Sequence, residues 1–385
     1  MSDRRRRAER ALRRAVFGAI MGRLRTGAVT PAAVDLSSVR KVLLIRLNTR
    51  LGNLLLVTPA LVAVRRALPA AQVDLLCLDH YADLLAGNPD LDCTITLRLR
   101  WRLPLVTMLR LVRRLRHERY DLVIDCGRGS SFLGAAFAGL SGGRFRVAHA
   151  GARYVTAFNV HVHKRADYDH KVELVLDLLQ GLGIPAVTRE VVLTLSETDH
   201  AGAAASWCRL GLPDAAPVVG VHVGGRGRKR WPLQRFLHLV RTVTGELHVP
   251  VLLFAGPEER HRIDPVRDCI PAATVVAPAL GARAFAAFVA RCAVLVCSDS
   301  GPMHLAAAVG VPTVAIFSTR QSLQYRPRGP RHVALFDERG VAPEPVMAAV
   351  TKVLADAALP PSGFDGIARG GRPLRVAPQR RGEQR

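Results

Sequence analysis

The chain has no run of about 18 uncharged apolar residues, so no transmembrane helix is expected. Its N-terminus starts basic but lacks a long apolar run and a small-residue cleavage site, which argues against a secretory leader. The seven cysteines, at 77, 93, 126, 208, 269, 292 and 297, contain no Cys-x-x-Cys pair. An odd number without that spacing gives neither a disulfide frame nor a zinc site, and several fall in apolar strand patterns. They read as reduced core residues of a cytosolic protein. Aromatic residues make up only 5% and do not interleave with the basic runs. Single-stranded nucleic acid is gripped by stacking platforms, so this scarcity counts against such a partner. There is no Gly-x-x-x-x-Gly-Lys-Ser/Thr loop, no His-Glu-x-x-His pair and no internal repeat.

Acidic residues are also short, with 31 against 55 basic ones and a net charge of +24. The excess is not spread evenly. Residues 1–30 hold nine Arg against Asp3 and Glu9; residues 98–119 hold eight Arg against Glu118; residues 360–385 hold six Arg against Asp365 and Glu383. These three segments carry most of the charge, and the folded body is nearly ordinary. Such attachments suit an anionic partner, and an anionic membrane surface fits better than nucleic acid. In residues 1–27, Leu12, Val16, Ala19, Ile20 and Leu24 recur at helical spacing with Arg beside them. That is the pattern of a basic amphipathic helix, for a membrane surface or for packing on a domain. The tail 359–385 is rich in Pro, Gly and Arg without periodicity, and disorder is expected there.

At 385 residues with 49% hydrophobic content, two globular domains are the natural expectation. Short apolar runs read as buried parallel strands: 42–45, 73–78, 94–97, 122–126, 147–149, 218–222, 251–255, 274–276, 293–297 and 313–317. Helical patterns lie over 103–116, 171–182, 284–291, 303–309 and 345–358. Residues 147–149 are expected to close the first sheet, and 184 to about 216 to cross to the second domain. The densest signal is 297–317: a strand, the turn Ser298-Asp299-Ser300-Gly301-Pro302, a small-residue helix stopped at Gly310, and another strand. Its loop leaves the carboxyl end of a strand, where open α/β sheets bind ligands, and the helix start offers free N–H groups to a phosphate. A second loop, 223–232, joins three glycines to Arg226, Arg228, Lys229 and Arg230, chemistry suited to a pyrophosphate. Asp125 ends a strand and reads either as a base or as a capping, structural carboxylate.

The run from Asp299 to Ala308, followed by Gly310-Val311-Pro312-Thr313, resembles the signature of glycosyltransferase family 9, the lipopolysaccharide heptosyltransferases. The spacing of His222, Lys229 and Trp231-Pro232, and the Gly52 and Thr58-Pro59 of the first domain, fit the same family. The likeness spans roughly residues 40–345 and is looser in the first domain. It implies the GT-B fold, with two Rossmann-like domains of parallel sheet facing a cleft. The expected divisions are a basic extension over 1–38, an acceptor domain over 39–205, a donor domain over 206–358 and a tail over 359–385. The implied activity is an inverting, metal-independent transfer from a nucleotide-diphosphate sugar resembling ADP-heptose. The acceptor is a lipid-linked or phosphorylated saccharide, such as lipopolysaccharide or a related envelope glycan. No cofactor and no metal ion are implied.

By that resemblance Lys229 contacts the donor phosphates, Glu259 the ribose, and Asp299 the sugar hydroxyls, with Ser300, Gly301 and His304 beside it. Leu280 lines the base pocket. Gly224 and Gly225 stand where hydroxyl residues are usual, leaving backbone N–H groups to serve. Arg46, Gly52 and Thr58 fall on the acceptor side. The family's proposed general base, an Asp, is replaced by Asn53, whose amide cannot take a proton near neutral pH. That departure leaves three readings: a transferase with another base, with Asp125 or an acceptor phosphate serving; a GT-B transferase with a different donor; or an inactive glycan-binding relative. A monomer is expected, cytoplasmic or peripheral on the inner face of the cytoplasmic membrane.

Overall fold

The computed structural model describes residues 27–98, 105–127, 131–165 and 168–358. The expected N-terminal amphipathic helix and the C-terminal tail lie outside the described residues. The chain forms two compact units. The first takes in the described residues up to Tyr168 and then Val172–Arg189; the second takes in Asp169–Lys171 and residues from Glu190 to 358.

The first unit is built on six parallel strands: β1 (Lys41–Arg46), β2 (Gln72–Leu78), β3 (Cys93–Leu97), β4 (Leu122–Asp125), β5 (Phe145–His149) and β6 (Val160–Val162). Their spatial order is β3-β2-β1-β4-β5-β6. In β1, Val42 to Ile45 are fully buried, as expected of a strand with neighbours on both edges and helices on both faces. Val42 pairs with Val73 on one side and Leu122 on the other, so β2 starts one residue ahead of β4 along β1. Between the strands run α1 (Leu51–Leu55), α2 (Thr58–Ala67), α3 (Leu105–Glu118) and α4 (Phe132–Leu140), with α5 (Lys171–Gly181) after β6. Residues 147–149 do not close the sheet. Val160-His161-Val162 pairs beyond them, and Val29 bridges to Val160 in turn. Three residues bounded by loops carry too little pattern to be read as a strand.

The second unit repeats the plan. Its strands are β7 (Val219–His222), β8 (Val251–Phe254), β9 (Thr274–Val276), β10 (Val294–Ser298), β11 (Thr313–Phe317) and β12 (His332–Phe336), in the order β12-β11-β10-β7-β8-β9. Counted from β7 as the first strand, this is again the order 3-2-1-4-5-6 of the doubly wound nucleotide-binding sheet. The helices are α6 (Glu197–Arg209), α7 (Leu233–Glu246), α8 (Pro257–Ile263), α9 (Ala282–Val289), α10 (Gly301–Ala308) and α11 (Pro343–Ala358). Helix α6 occupies a stretch expected only to cross between domains. A reciprocal capping box starts it, with Ser196 accepting from the Asp199 N–H and Asp199 accepting from the Ser196 N–H. The core on one face joins Val219, Val221, Val294, Val296, Val314 and Ile316 to Phe236 and Val240 of α7 and Val346 and Val350 of α11.

In both sheets the first and fourth strands are neighbours whose connections leave in opposite directions. A crevice opens between their carboxyl ends, and such sheets take ligands there. The candidate site is sought at the ends of β7 and β10, and of β1 and β4. Of the cysteines, Cys77, Cys126, Cys292 and Cys297 are buried as expected, and burial pushes each of their thiols up. Cys208 and Cys269 are exposed, because each lies at the solvent side of a helix or turn and not in a strand.

Candidate functional site

At the end of β7, His222 is buried and its Nδ1 accepts the Gly224 N–H at 3.0 Å. Burial lowers its pKa to about 4, so the ring is neutral at neutral pH. A Cβ on residue 224 would come within 2.3 Å of His222 Cε1, and one on residue 225 within 2.9 Å of the Arg230 Cα. Both positions therefore favour glycine, since a side chain at either would displace its neighbour. Arg230 closes this turn, its Nε donating to the Gly225 carbonyl at 2.8 Å. Its Nη2 lies 3.6 Å from Oε1 of Glu259, a buried carboxylate in the first turn of α8. Glu259 folds back so closely on Gly256 that a Cβ there would meet its Oε2 at 2.6 Å.

Strand β10 ends next door. Ser298 is fully buried and accepts the Trp231 N–H on its Oγ at 3.0 Å, which ties the basic loop to the neighbouring strand. The Trp231 indole donates to the Val341 carbonyl at 2.7 Å and packs edge-on against Phe236. Ser318, after β11, donates to the Arg228 carbonyl at 2.5 Å. Held on these sides, the loop presents Lys229, whose Nζ lies 2.5 Å from Asp299 Oδ2. The carboxylate side chain is only 7% exposed and the lysine 35%. The charge at the crevice is therefore internally balanced while Arg226 and Arg228 stand exposed on the same loop.

Helix α10 begins immediately after Asp299. Ser300 is its N-cap residue, but its Oγ donates to the Ser298 carbonyl at 3.0 Å and makes no cap bond. Gly301-Pro302 form the first turn, where a missing proline N–H costs nothing. His304 is buried; burial lowers its pKa to about 4, with Lys229 adding to the effect and Asp299 opposing it. Its neutral ring stands edge-on to Tyr325. Leu280, half-buried, precedes the Gly281 that starts α9. Lys229, Asp299, Ser300, Gly301 and His304 are thus brought to one crevice, with Gly224, Gly225 and Glu259 around its β7–β8 side.

In the first unit Arg46, at the end of β1, spans the corresponding crevice. Its Nε donates to the Asn53 carbonyl at 2.9 Å, and its Nη1 to the Cys126 carbonyl beyond β4. The Asn53 amide donates to Asn48 Oδ1 at 3.0 Å, and the same oxygen accepts the Arg50 N–H at 2.9 Å. Gly52 is buried in α1. Thr58 is fully buried, and its hydroxyl donates to the Leu55 carbonyl at 2.8 Å. Asp125 is 1% exposed, and its Oδ1 accepts the Gly127 N–H at 2.7 Å. A Cβ on Gly127 would lie 2.8 Å from that oxygen. The carboxylate is turned under its own loop.

The sequence reading missed Ser298, Arg230 as the partner of Glu259, Asn48 and the Ser318 tie. A signal existed for the first, since Ser298 is the polar residue that ends an apolar strand. The others depend on which strands are neighbours. Among the described residues no group of three His, Cys, Asp or Glu side chains is placed to hold a metal ion.

Comparison with known proteins agrees with this fold. A family model described as "Glycosyltransferase family 9 (heptosyltransferase)" matches residues 108–354. A lipopolysaccharide heptosyltransferase 3 of Escherichia coli is 21% identical over 300 residues, covering 72% of this chain and 83% of that protein. The crystal structure of a family 9 glycosyl transferase from Veillonella parvula superposes with a TM-score of 0.75 at 21% identity, over 82% of this chain and 98% of that one. The E. coli heptosyltransferase WaaC, solved with ADP and with ADP-2-deoxy-2-fluoro heptose, superposes with TM-scores of 0.65 and 0.60. Both alignments are 21% identical and cover 99% of that chain and 81% and 82% of this one.

Proposed function

The chain belongs to glycosyltransferase family 9, and from that premise we propose that it moves a heptose-like sugar from an ADP-sugar to a saccharide of lipopolysaccharide or a related envelope glycan. The observation that carries this reading is the Lys229–Asp299 pair at the crevice between β7 and β10, beside the start of α10. The diphosphate lies against Lys229, the Gly225 backbone N–H and the first turn of α10. Asp299, released from the lysine, accepts from sugar hydroxyls. Glu259 takes the ribose hydroxyls and Leu280 lines the base. The solved relative with ADP and a fluorinated ADP-heptose supports a nucleotide-sugar of this class.

The step is an inverting displacement without metal. An acceptor hydroxyl oxygen forms a bond to the anomeric carbon as the carbon–phosphate oxygen bond breaks. The electron pair leaves with ADP, whose growing charge Lys229 and the α10 dipole stabilise. The hydroxyl proton needs a base, and the Asn53 amide is not one. Asp125 reaches it only if the Gly127 turn opens; otherwise a phosphate of the acceptor takes the proton. Arg46, which fixes the Asn53 and Cys126 carbonyls, sets the shape of the acceptor loops.

Asn53 also favours a second reading, a binding protein that holds donor and glycan without turnover. A lost general base typically costs about 10²–10⁴ in rate, so a working enzyme remains measurable. The test is a transfer assay with ADP-heptose on the natural chain, Asn53→Asp and Asp125→Asn. Turnover by the natural chain supports the transferase. Loss of turnover in Asp125→Asn, with ADP affinity kept, identifies that carboxylate as the base. A natural chain that binds ADP-heptose without turnover, revived only by Asn53→Asp, refutes the transferase reading.

A further inference from the structure

Helix α3 leaves the carboxyl edge of the first sheet after β3 and returns to the start of β4, so its first turn lies at the ligand-taking edge. One face is buried: Leu111 and Leu115 enter the core with Ala135 to Ala138 of α4. The opposite face carries Val106, Leu109, Arg110, Arg113, Arg116 and His117, all exposed. These positions recur at helical spacing on one stripe with no acidic residue. The nearest carboxylate on the helix, Glu118, is held by Lys41 at 3.0 Å. Among the described residues five large apolar side chains are exposed; Val106 at 55% and Leu109 at 48% are on this face, and Phe132 at 42% is in the first turn of the adjoining α4. Beyond Arg116 the helix ends beside a hollow lined by Arg40, Arg113 and Arg119, and also by Glu118, which Lys41 holds, and Asp121, which accepts the Arg40 and Lys41 N–H groups. Exposed apolar residues at one end of an acid-free arginine stripe have no evident role in holding the unit together.

We propose that this face of α3 lies on an anionic bilayer surface, with Val106, Leu109 and Phe132 in the headgroup boundary and Arg110, Arg113 and Arg116 against lipid phosphates. An interfacial helix binds through buried apolar area together with basic residues facing anionic lipid. The contact puts the acceptor edge of the first sheet next to the lipid surface. It is independent of the transfer chemistry, because it requires neither a donor nor a base. No helix among the described residues is long and apolar enough to cross a membrane, so the contact is reversible and peripheral.

The experiment is co-sedimentation of the full chain with phosphatidylcholine vesicles, with and without phosphatidylglycerol, across a salt series. Binding is expected only with the anionic lipid and fades as salt rises. Arg110→Ser/Arg113→Ser/Arg116→Ser should weaken it roughly hundredfold, since each basic residue near such a surface is worth about 1 kcal/mol. The corresponding triple Lys variant should restore it, and Leu109→Ser should weaken it about tenfold. Melting temperature and ADP binding, measured on every variant, identify any that misfold. Unchanged vesicle binding in the Ser variant would assign the attraction to residues 1–30 and overturn the proposal. So would equal losses in the Lys and Ser variants, or equal binding to both kinds of vesicle. Self-association of the natural chain that Leu109→Ser abolishes would give the face to a second copy, again overturning it.

Discussion

Replacing Lys229 by methionine separates two roles of one side chain, the observed pairing with Asp299 and the proposed contact with a donor diphosphate. The lysine is the counter-ion of Asp299 at 2.5 Å, and the carboxylate is only 7% exposed. Exposed ion pairs contribute about 0–1 kcal/mol, and removing one partner of a buried pair costs about 3–5 kcal/mol. With one partner buried and the other about a third exposed, Lys229→Met should cost about 1–3 kcal/mol. For a unit of this size that is a fall of about 2–12 °C in melting temperature. Asp299→Asn removes the charge that needs a partner, so the double variant should recover most of the loss and melt above Lys229→Met. The same lysine, facing a diphosphate, contributes a charge-assisted hydrogen bond of about 1.5–3 kcal/mol, a loss of roughly 10- to 150-fold in ADP affinity. Scanning calorimetry on the four proteins measures the first effect, and titration calorimetry with ADP the second. A Lys229→Met protein that melts like the natural chain refutes the counter-ion argument. One that melts lower but binds ADP undiminished makes the lysine structural and removes it from the donor site.

Two further predictions concern the same crevice. Burial lowers the pKa of both His222 and His304 to about 4, below the 6.5 of an exposed imidazole. Between pH 6.5 and 4 the unfolded chain binds more protons, so stability is complete above that window and falls as pH drops through it, by up to roughly 3 kcal/mol per residue. Urea midpoints at neutral and mildly acidic pH should fall together with pH and fall less steeply in His304→Gln; a midpoint that holds steady or rises would contradict the burial argument. Gly224→Ala should destabilise by about 1–3 kcal/mol, because its Cβ meets the His222 ring at 2.3 Å, and should weaken ADP binding with it. Chemical denaturation checks the first effect, and an alanine variant as stable as the natural chain would show that the turn has room.

Much of the fold was legible because a strand buried on both faces announces itself as an apolar run. Val42–Ile45, Leu252–Phe254 and Val314–Phe317 are such runs. The strands that escaped, β6 and β12, lie at sheet edges. β12 alternates partly buried and exposed residues, and β6 has only three residues. Helix α6 escaped because its apolar stripe is weak, though Ser196 and Asp199 carried a start signal. At the site, Lys229 and Asp299 were each legible from local loop chemistry. Their pairing across 70 residues was not, because it follows from β7 and β10 being neighbours, a property of sheet order. Likewise the hydrogen bond from the Gly127 N–H to Asp125 was not legible in the sequence, and the choice between base and structural carboxylate is left to the Asp125→Asn assay.

The repetition of one strand order in both units has a consequence for how such a chain can diverge. The strand interiors are mostly aliphatic, with Asp74 and Arg146 as buried exceptions, while the residues proposed for recognition lie at strand ends and in the loops that follow them. Substitution along the strands leaves the framework in place, and substitution in a loop alters a specificity without disturbing a ladder. A structure superposing at a TM-score of 0.75 with 21% identity is the outcome expected of that separation. On the proposed roles, new acceptors arise by rewriting a few residues after β1 and β4, while the loops of the second sheet go on holding the same donor.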